Sequence, residues 1–347
     1  MRYKNTIPQP AIGPAKILRW KLGGAPRDSA PKPRARIADI PFPTPDPDWE
    51  ALHHPKPQEI QVTWVGHSTF LIQHEGRNLL TDPIFGDCQT PIPGIRLRRI
   101  SPPGLRVDQL PPIHDVLISH NHYDHLDAPS VQRLANLSAD TRFWLPAGLS
   151  AWFRKRGIDN VQELAWWKSK QLAGGGELHC LPAQHFSARG PFDRDRTHWC
   201  GWALRSGGQK IYYAGDTGYN QEFKEIGRVF DGMDVALIPI GAYDPRWIMQ
   251  PVHTDPFEAV KIHEDVRSRR SIGCHWGTFR LTEEPWNEPP ELLQRALAER
   301  GLTDKDFGVL VPGQSIALPT DRDSRFPQTD PLFPQRNQPT NQLPIKS

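Results

Sequence analysis

Cysteine is sparse: Cys88, Cys180, Cys200 and Cys274 are scattered over 347 residues, and no two stand in a CxxC spacing. A disulfide framework would not look like this, so a reduced compartment is the simpler reading. Long apolar runs are missing too, since no stretch approaches the roughly eighteen uninterrupted apolar residues of a membrane span. The segment MRYKNTIPQPAIGPAK has no apolar core followed by a small-residue cleavage site, so it does not read as a secretory leader. A cytoplasmic protein is expected. Charge of one sign is also scarce, the net value being +3. A nucleic-acid binder should show a basic excess, so no nucleic-acid partner is expected. No internal repeat of solenoid length is present.

Proline, by contrast, is abundant: 37 residues, about twice average usage. Much of it lies at the two ends and in loops, where it stiffens turns and stops helices. Residues 1–58 read as a Pro- and basic-rich arm. Within it, residues 15–22 interleave Ile17, Leu18, Trp20 and Leu22 with Lys16, Arg19 and Lys21. That pattern suits either a short interfacial anchor giving peripheral membrane contact or an arm packed on the body. Residues 320–347 are polar and Pro-rich and read as a mobile tail.

Residues 59–319 read as the catalytic domain. Runs at 60–65, 69–74 and 78–81 are β-like and separated by Gly-containing turns, which predicts a meander. An apolar strand at 116–119 is followed by helices at 128–137 and 148–156 with a strand at 142–145 between them. A second block of strands spans 177–183, 200–206 and 209–214, the last two joined by Gly207-Gly208, a hairpin signal. Then come a helix at 220–230, a strand at 235–239, a helix at 256–267 and a strand at 271–274. Two β-rich halves, each followed by helices, predict an α/β (α+β) fold with sheets between helical layers. Most of the twelve tryptophans belong to the core. A few are free to line an apolar channel or a subunit interface, which leaves a homodimer open.

The chemistry concentrates in His120-Asn121-His122-Tyr123-Asp124-His125, directly after the 116–119 strand. Imidazole and carboxylate are ligands that borderline cations such as Zn²⁺ accept. Histidines at i and i+2 on extended backbone project to one side, so His120 and His122 can meet the same ion. Asp124 and His125 lie past the bend, placed for a second ion. Further ligands must come from afar, at strand ends: His185 after 181–184, Asp216 after 211–215, and His275 after 271–274. Loops at the carboxyl ends of strands are where α/β folds assemble sites. Singly, each of the three reads equally well as a core histidine or a turn aspartate. With the cluster they form a seven-ligand site for two metals, in which the Asp216 carboxylate could bridge.

Residues 60–316 resemble the metallo-β-lactamase superfamily, and more narrowly the N-acyl-phosphatidylethanolamine-hydrolysing phospholipase D family and its bacterial relatives. The resemblance rests on TWVGHST at 63–69, LTDPIF at 80–85, the histidine cluster, AGDTGY at 214–219, GAYxPRW at 241–247 and HWGTF at 275–279. The resemblance implies a four-layer αββα sandwich. It also implies that His120, His122 and His185 hold one zinc, that Asp124, His125 and His275 hold the other, and that Asp216 bridges them. Two Zn²⁺ per chain are therefore expected, with Mn²⁺ or Fe²⁺ as alternatives. Positions matching Tyr123 and His253 lie against the substrate in that family. The loop after His185 and the first fifty-odd residues depart from the animal members, so lipid-regulatory and docking properties do not carry over.

The expected activity is phosphodiester hydrolysis of phospholipase D type, on N-acyl-phosphatidylethanolamine or a related phospholipid. Two metals would activate a shared water and offset phosphate charge, with Asp124 orienting that water. His253 either meets the phosphate or leaving group or caps and packs. Tyr123 either donates to substrate or packs beside the metals. Asp82 reads as a hydrogen-bonded pin for the cluster loop or an ordinary turn aspartate. His67 either reaches the pocket mouth or sits in the core. Gly215 and Gly218 permit a tight turn around Asp216. A lactone, a cyclic phosphodiester or another small phosphodiester is the alternative substrate, and a metal-stabilised binding protein is the non-catalytic alternative.

Overall fold

A computed structural model describes residues 2–8, 16, 19–20, 36–37 and 40–319. Helix α1 spans Trp49–His53, and the meander follows as β1 (Glu59–Gly66), β2 (Thr69–His74) and β3 (Arg77–Thr81). The short pair β4 (Cys88–Gln89) and β5 (Arg96–Leu97) precedes β6 (Asp115–Leu117), α2 (Ala128–Leu137), β7 (Arg142–Pro146), α3 (Ser150–Arg154) and β8 (Val161–Leu164). The second half holds β9 (Lys168–Gln171), β10 (Glu177–Leu181), β11 (Gly201–Ser206), β12 (Gln209–Tyr213), α4 (Glu222–Phe230) and β13 (Met233–Pro239). It closes with α5 (Arg246–Met249), α6 (Pro256–Asp265), β14 (Ser268–Cys274), α7 (Glu288–Glu299), β15 (Phe307–Val309) and β16 (Ser315–Pro319).

These strands form two seven-stranded sheets, ordered β16-β1-β2-β3-β6-β7-β8 and β15-β14-β13-β12-β11-β10-β9. The period of two along each strand sorts the core into layers. Val62, Trp64, Phe70, Ile72, Leu79 and Trp144 point to the interior that the second sheet shares. Their neighbours Val65, Leu71, Leu80, Phe143 and Leu145 point the other way, onto Leu52 of α1, Val131 and Leu134 of α2 and Phe153 of α3. On the far side of the second sheet Phe223, Ile226, Ile262 and Leu297 bring α4, α6 and α7 onto the core. The result is helix, sheet, sheet, helix: the expected αββα sandwich. Burying a side chain of the Leu or Phe class stabilises by about 1.5–3 kcal/mol, so these layers supply the main driving force.

Two helices start on strong local signals. Asp127 caps α2 by accepting from the Ser130 N–H, and Asp255 caps α6 by accepting from the Glu258 N–H, each helix having proline in its first turn. The hairpin at Gly207-Gly208 joins β11 and β12 as expected. Expected elements recur within a few residues; β13 and β14 begin earlier, at Met233 and Ser268.

Several elements escape a sequence pattern. β16 pairs antiparallel with β1, Glu59 opposite Pro319. β9 is wholly exposed and has no apolar face to advertise it. Most of residues 15–22 and all of 320–347 lie outside the described residues, so the anchor and the tail have no structural account. Among the described residues, no helix is long and apolar enough to cross a membrane. All four cysteines are free and buried.

Candidate metal centre

Both sheets deliver their strand ends to one place. After β6, the carbonyl of Ile118 accepts from Trp202 Nε1 and that of Ser119 accepts from the Cys200 N–H, so β11 fixes the segment leading into His120. His185 follows β10, Asp216 follows β12 and His275 follows β14 directly. Gly215 adopts φ +63°, and a Cβ there would lie 2.8 Å from both the Cys200 carbonyl oxygen and Ser119 Cβ. Only glycine allows the Asp216 backbone so close to the cluster strand. Left-handed conformations at His67 (φ 54°), Ala242 (φ 61°) and His275 (φ 61°) gather around the same spot, and such strain persists where surrounding contacts over-determine it.

The seven expected residues converge. His120 Nε2 and His122 Nδ1 lie 2.8 Å apart, and His185 Nε2 is 3.2 Å from the same His122 nitrogen. On the other side His125 Nε2 and His275 Nε2 stand 3.4 and 3.5 Å from Asp124 Oδ2. Asp216 Oδ2 joins the halves: it is 3.1 Å from His125 Nε2, 3.1 Å from His275 Nε2, 3.8 Å from His185 Nε2 and 4.0 Å from His120 Nε2.

This donor set fits metal ions. Around an ion with bonds of about 2.0–2.1 Å in tetrahedral geometry, donors lie about 3.3 Å apart. Three ring nitrogens facing one point share at most one proton between any two, whereas a cation satisfies all three lone pairs. Buried His125 Nε2, His275 Nε2 and Asp216 Oδ1 have no hydrogen-bond partner among the described residues, which an ordinary interior would not tolerate.

Electrostatics leave some of these rings ready to ligate, while at His275 an ion has a proton to displace. Burial pushes the His122 ring down to about 4 and the His185 ring down to about 3, which keeps both neutral and able to ligate. Burial also opposes charge on His275, but Asp216 and Asp124 override it and hold that ring at about 9. Burial works against the Asp216 anion, yet His125 and His275 keep the carboxyl well below the usual range.

The supports are equally specific. Asp82 is the anticipated pin: its carboxylate accepts from the Ser119 N–H at 2.7 Å, Ser119 Oγ at 2.5 Å, Tyr213 OH at 2.5 Å and lies 2.6 Å from His125 Nδ1. Ser119 Oγ also stands 2.8 Å from His120 Nδ1, and His185 Nδ1 is 2.9 Å from the Val252 carbonyl oxygen. The rings of His120, His125 and His185 are thus oriented from behind.

His253 faces the centre, its Nδ1 buried, without a hydrogen-bond partner among the described residues and 3.9 Å from Asp216 Oδ2. The cap of α6 belongs to Asp255 instead. Tyr123 packs beside the cluster, and its hydroxyl donates to the Arg189 carbonyl at 3.0 Å.

Two groups were not anticipated from sequence. Arg189 Nη1 donates to the carbonyls of Asn121 and Leu126 at 2.9 and 2.8 Å, with its guanidinium 3.9 Å above the Tyr123 ring. It clasps both ends of the cluster loop from the segment after His185. Asn5 pairs with the His185 backbone in both directions, Nδ2 to the carbonyl at 2.9 Å and Oδ1 to the N–H at 3.2 Å. Neither residue carried a spacing signal, because each acts across more than sixty positions of chain.

Comparison with known proteins points the same way. A family model described as "Beta-lactamase superfamily domain" matches residues 77–276. N-acyl-phosphatidylethanolamine-hydrolyzing phospholipase D 1 of Caenorhabditis elegans is 39% identical over 264 residues, 73% of this chain and 74% of that protein. The mitochondrial N-acyl-phosphatidylethanolamine-hydrolyzing phospholipase D of Saccharomyces cerevisiae is 36% identical over 72% of this chain and 54% of its own length. A metallo hydrolase from the archaeon Ignicoccus hospitalis superposes with TM-score 0.57 at 21% identity, over 75% of this chain and 98% of that one. That last likeness speaks to the fold.

Proposed function

Because this chain belongs to the metallo-β-lactamase superfamily, on the branch that holds the N-acyl-phosphatidylethanolamine-hydrolysing phospholipases D, we propose that it is a two-zinc phosphodiesterase of phospholipase D type. The coarser statement stands on the family itself: the chain is a metal-dependent hydrolase. In the finer reading His120, His122 and His185 would hold one ion, Asp124, His125 and His275 would hold the other, and Asp216 would serve both. The observation that carries it is the Asp216 Oδ2 atom, which lies 3.1–4.0 Å from ligand-type nitrogens of both groups. The substrate would be N-acyl-phosphatidylethanolamine or a related phospholipid.

Two divalent cations supply Lewis acidity toward phosphoryl oxygens and lower the pKa of water towards neutrality. The chain's own residues divide the remaining work. Asp124, acceptor-only when ionised, holds the attacking water by a hydrogen bond as well as serving as a ligand. His253 is well placed to meet the phosphate or to return a proton to the departing head-group oxygen, since its free Nδ1 looks into the centre. Tyr123, held by Arg189, forms part of the wall beside the cluster and would meet the substrate there. Water adds to phosphorus, the bond to the head-group oxygen breaks, and the products are phosphatidic acid and an N-acylethanolamine.

Metal analysis of purified protein should give about two ions per chain. Incubation with N-acyl-phosphatidylethanolamine should release both products by mass spectrometry, with chelated protein and His120→Ala silent. Turnover of lactones or bis-nitrophenyl phosphate without turnover of the phospholipid would replace the substrate and leave the metals standing.

A further inference from the structure

We propose that His67 is a positioning residue that fixes the Asp124 carboxylate, and through it one of the two ion sites. The inference rests on the metal-centre reading above and adds a residue to it. His67 occupies the turn between β1 and β2 with φ 54°, a left-handed conformation uncommon outside glycine but adopted more readily by asparagine, aspartate and histidine than by other side chains. Three backbone contacts hold it there. Its N–H donates to Thr278 Oγ1 at 2.7 Å, and its carbonyl accepts from the His275 N–H at 3.0 Å and from Trp64 Nε1 at 2.9 Å. The backbone of His67 is therefore bonded directly to that of a ligand.

The ring is buried against His275, centroids 4.2 Å apart, and meets the Phe279 ring edge-on at 5.1 Å. Packed this way, it has one outlet toward the centre: Nε2 stands 3.0 Å from Asp124 Oδ2. That oxygen is also the one that faces His125 Nε2 and His275 Nε2 at 3.4 and 3.5 Å. A carboxylate only accepts, so the bond assigns the proton to His67 Nε2. Asp124 sits in a loop and without this donor is free to turn about two side-chain bonds. With it, Oδ2 is kept among the rings of one ion site, while the other group of His120, His122 and His185 is untouched by His67.

The test titrates metal-free enzyme with Zn²⁺ against a chromophoric chelator, in wild type, His67→Asn and His67→Gln. Asparagine favours the left-handed turn but places its amide at the depth of Nδ1, too short to reach Asp124. Glutamine places its amide at the depth of Nε2. His67→Asn should weaken one of the two ions by about 10–100-fold, the range for outer-shell partners of metal ligands, and leave the other as in wild type. His67→Gln should recover most of that affinity. Native affinity for both ions in His67→Asn would overturn the proposal. So would equal weakening of both ions in both variants, which marks a general packing role. Wild type that binds no ion would instead reject the metal-centre reading itself.

Discussion

Nδ1 of His125 lies 2.6 Å from Oδ2 of Asp82, with both side chains fully buried. One carboxylate from the end of β3 thereby orients a ring of the cluster, while Ser119 and Tyr213 occupy its other lone pairs. Asp82→Asn keeps the shape but turns an acceptor into a donor facing Nδ1. Metal affinity should fall by about 10–100-fold, read by chelator competition. Unchanged affinity would show that the carboxylate orients nothing.

Arg189→Met keeps the side-chain stem over Tyr123 and removes both bonds to the cluster loop. The carbonyls of Asn121 and Leu126 are left without that donor. Stranding buried acceptors costs about 1–3 kcal/mol, so urea melts should show a loss of that size. Amides of residues 122–126 should exchange faster with deuterium. A variant as stable and as protected as wild type would contradict the clasp.

Asn5→Ala breaks the paired bonds to the His185 backbone and the bond that Trp199 Nε1 makes to Asn5 Oδ1 at 2.9 Å. It should weaken the ion held by His120, His122 and His185 and spare the other. That is the reverse of the pattern expected for His67→Asn, so titrating the two variants side by side separates the half-sites. Loss of the same ion in both variants would refute this division.

His263 lies in α6, away from the centre, with Nδ1 2.8 Å from Ser271 Oγ and its ring stacked on Phe307. Burial pushes its pKa down to about 4. In the unfolded chain the ring titrates near 6.5, so the unfolded state binds more protons between pH 6.5 and 4. The contribution is fully present above pH 6.5 and is lost as pH falls towards 4, at about 1.4 kcal/mol per pH unit. Over that window metal-free wild type should lose roughly 3 kcal/mol more than His263→Gln by urea melts. Parallel pH profiles would refute the assignment.

Much of the site was legible in the chain. The spacing of His120, His122, Asp124 and His125 points to metal chemistry, whereas His185, Asp216 and His275, each at a strand end, joined the set only beside that cluster and the family resemblance. The layers were readable from two β-rich halves each followed by helices, but the apolar runs of β2 and β7 are continuous, so which of their residues face the second sheet was not. β9 was not, because a strand exposed on every residue carries no such pattern.

The sequence alone determined which side chains can ligate and which strands carry them, because donor chemistry and hydrophobic period are local properties. Only the tertiary structure decided that Asp216 stands between the two histidine groups, that Arg189 and Asn5 hold the loops bearing them, and that His67 touches Asp124. Those relations join residues tens to nearly two hundred positions apart, and no local spacing records a contact that exists only once two sheets have packed.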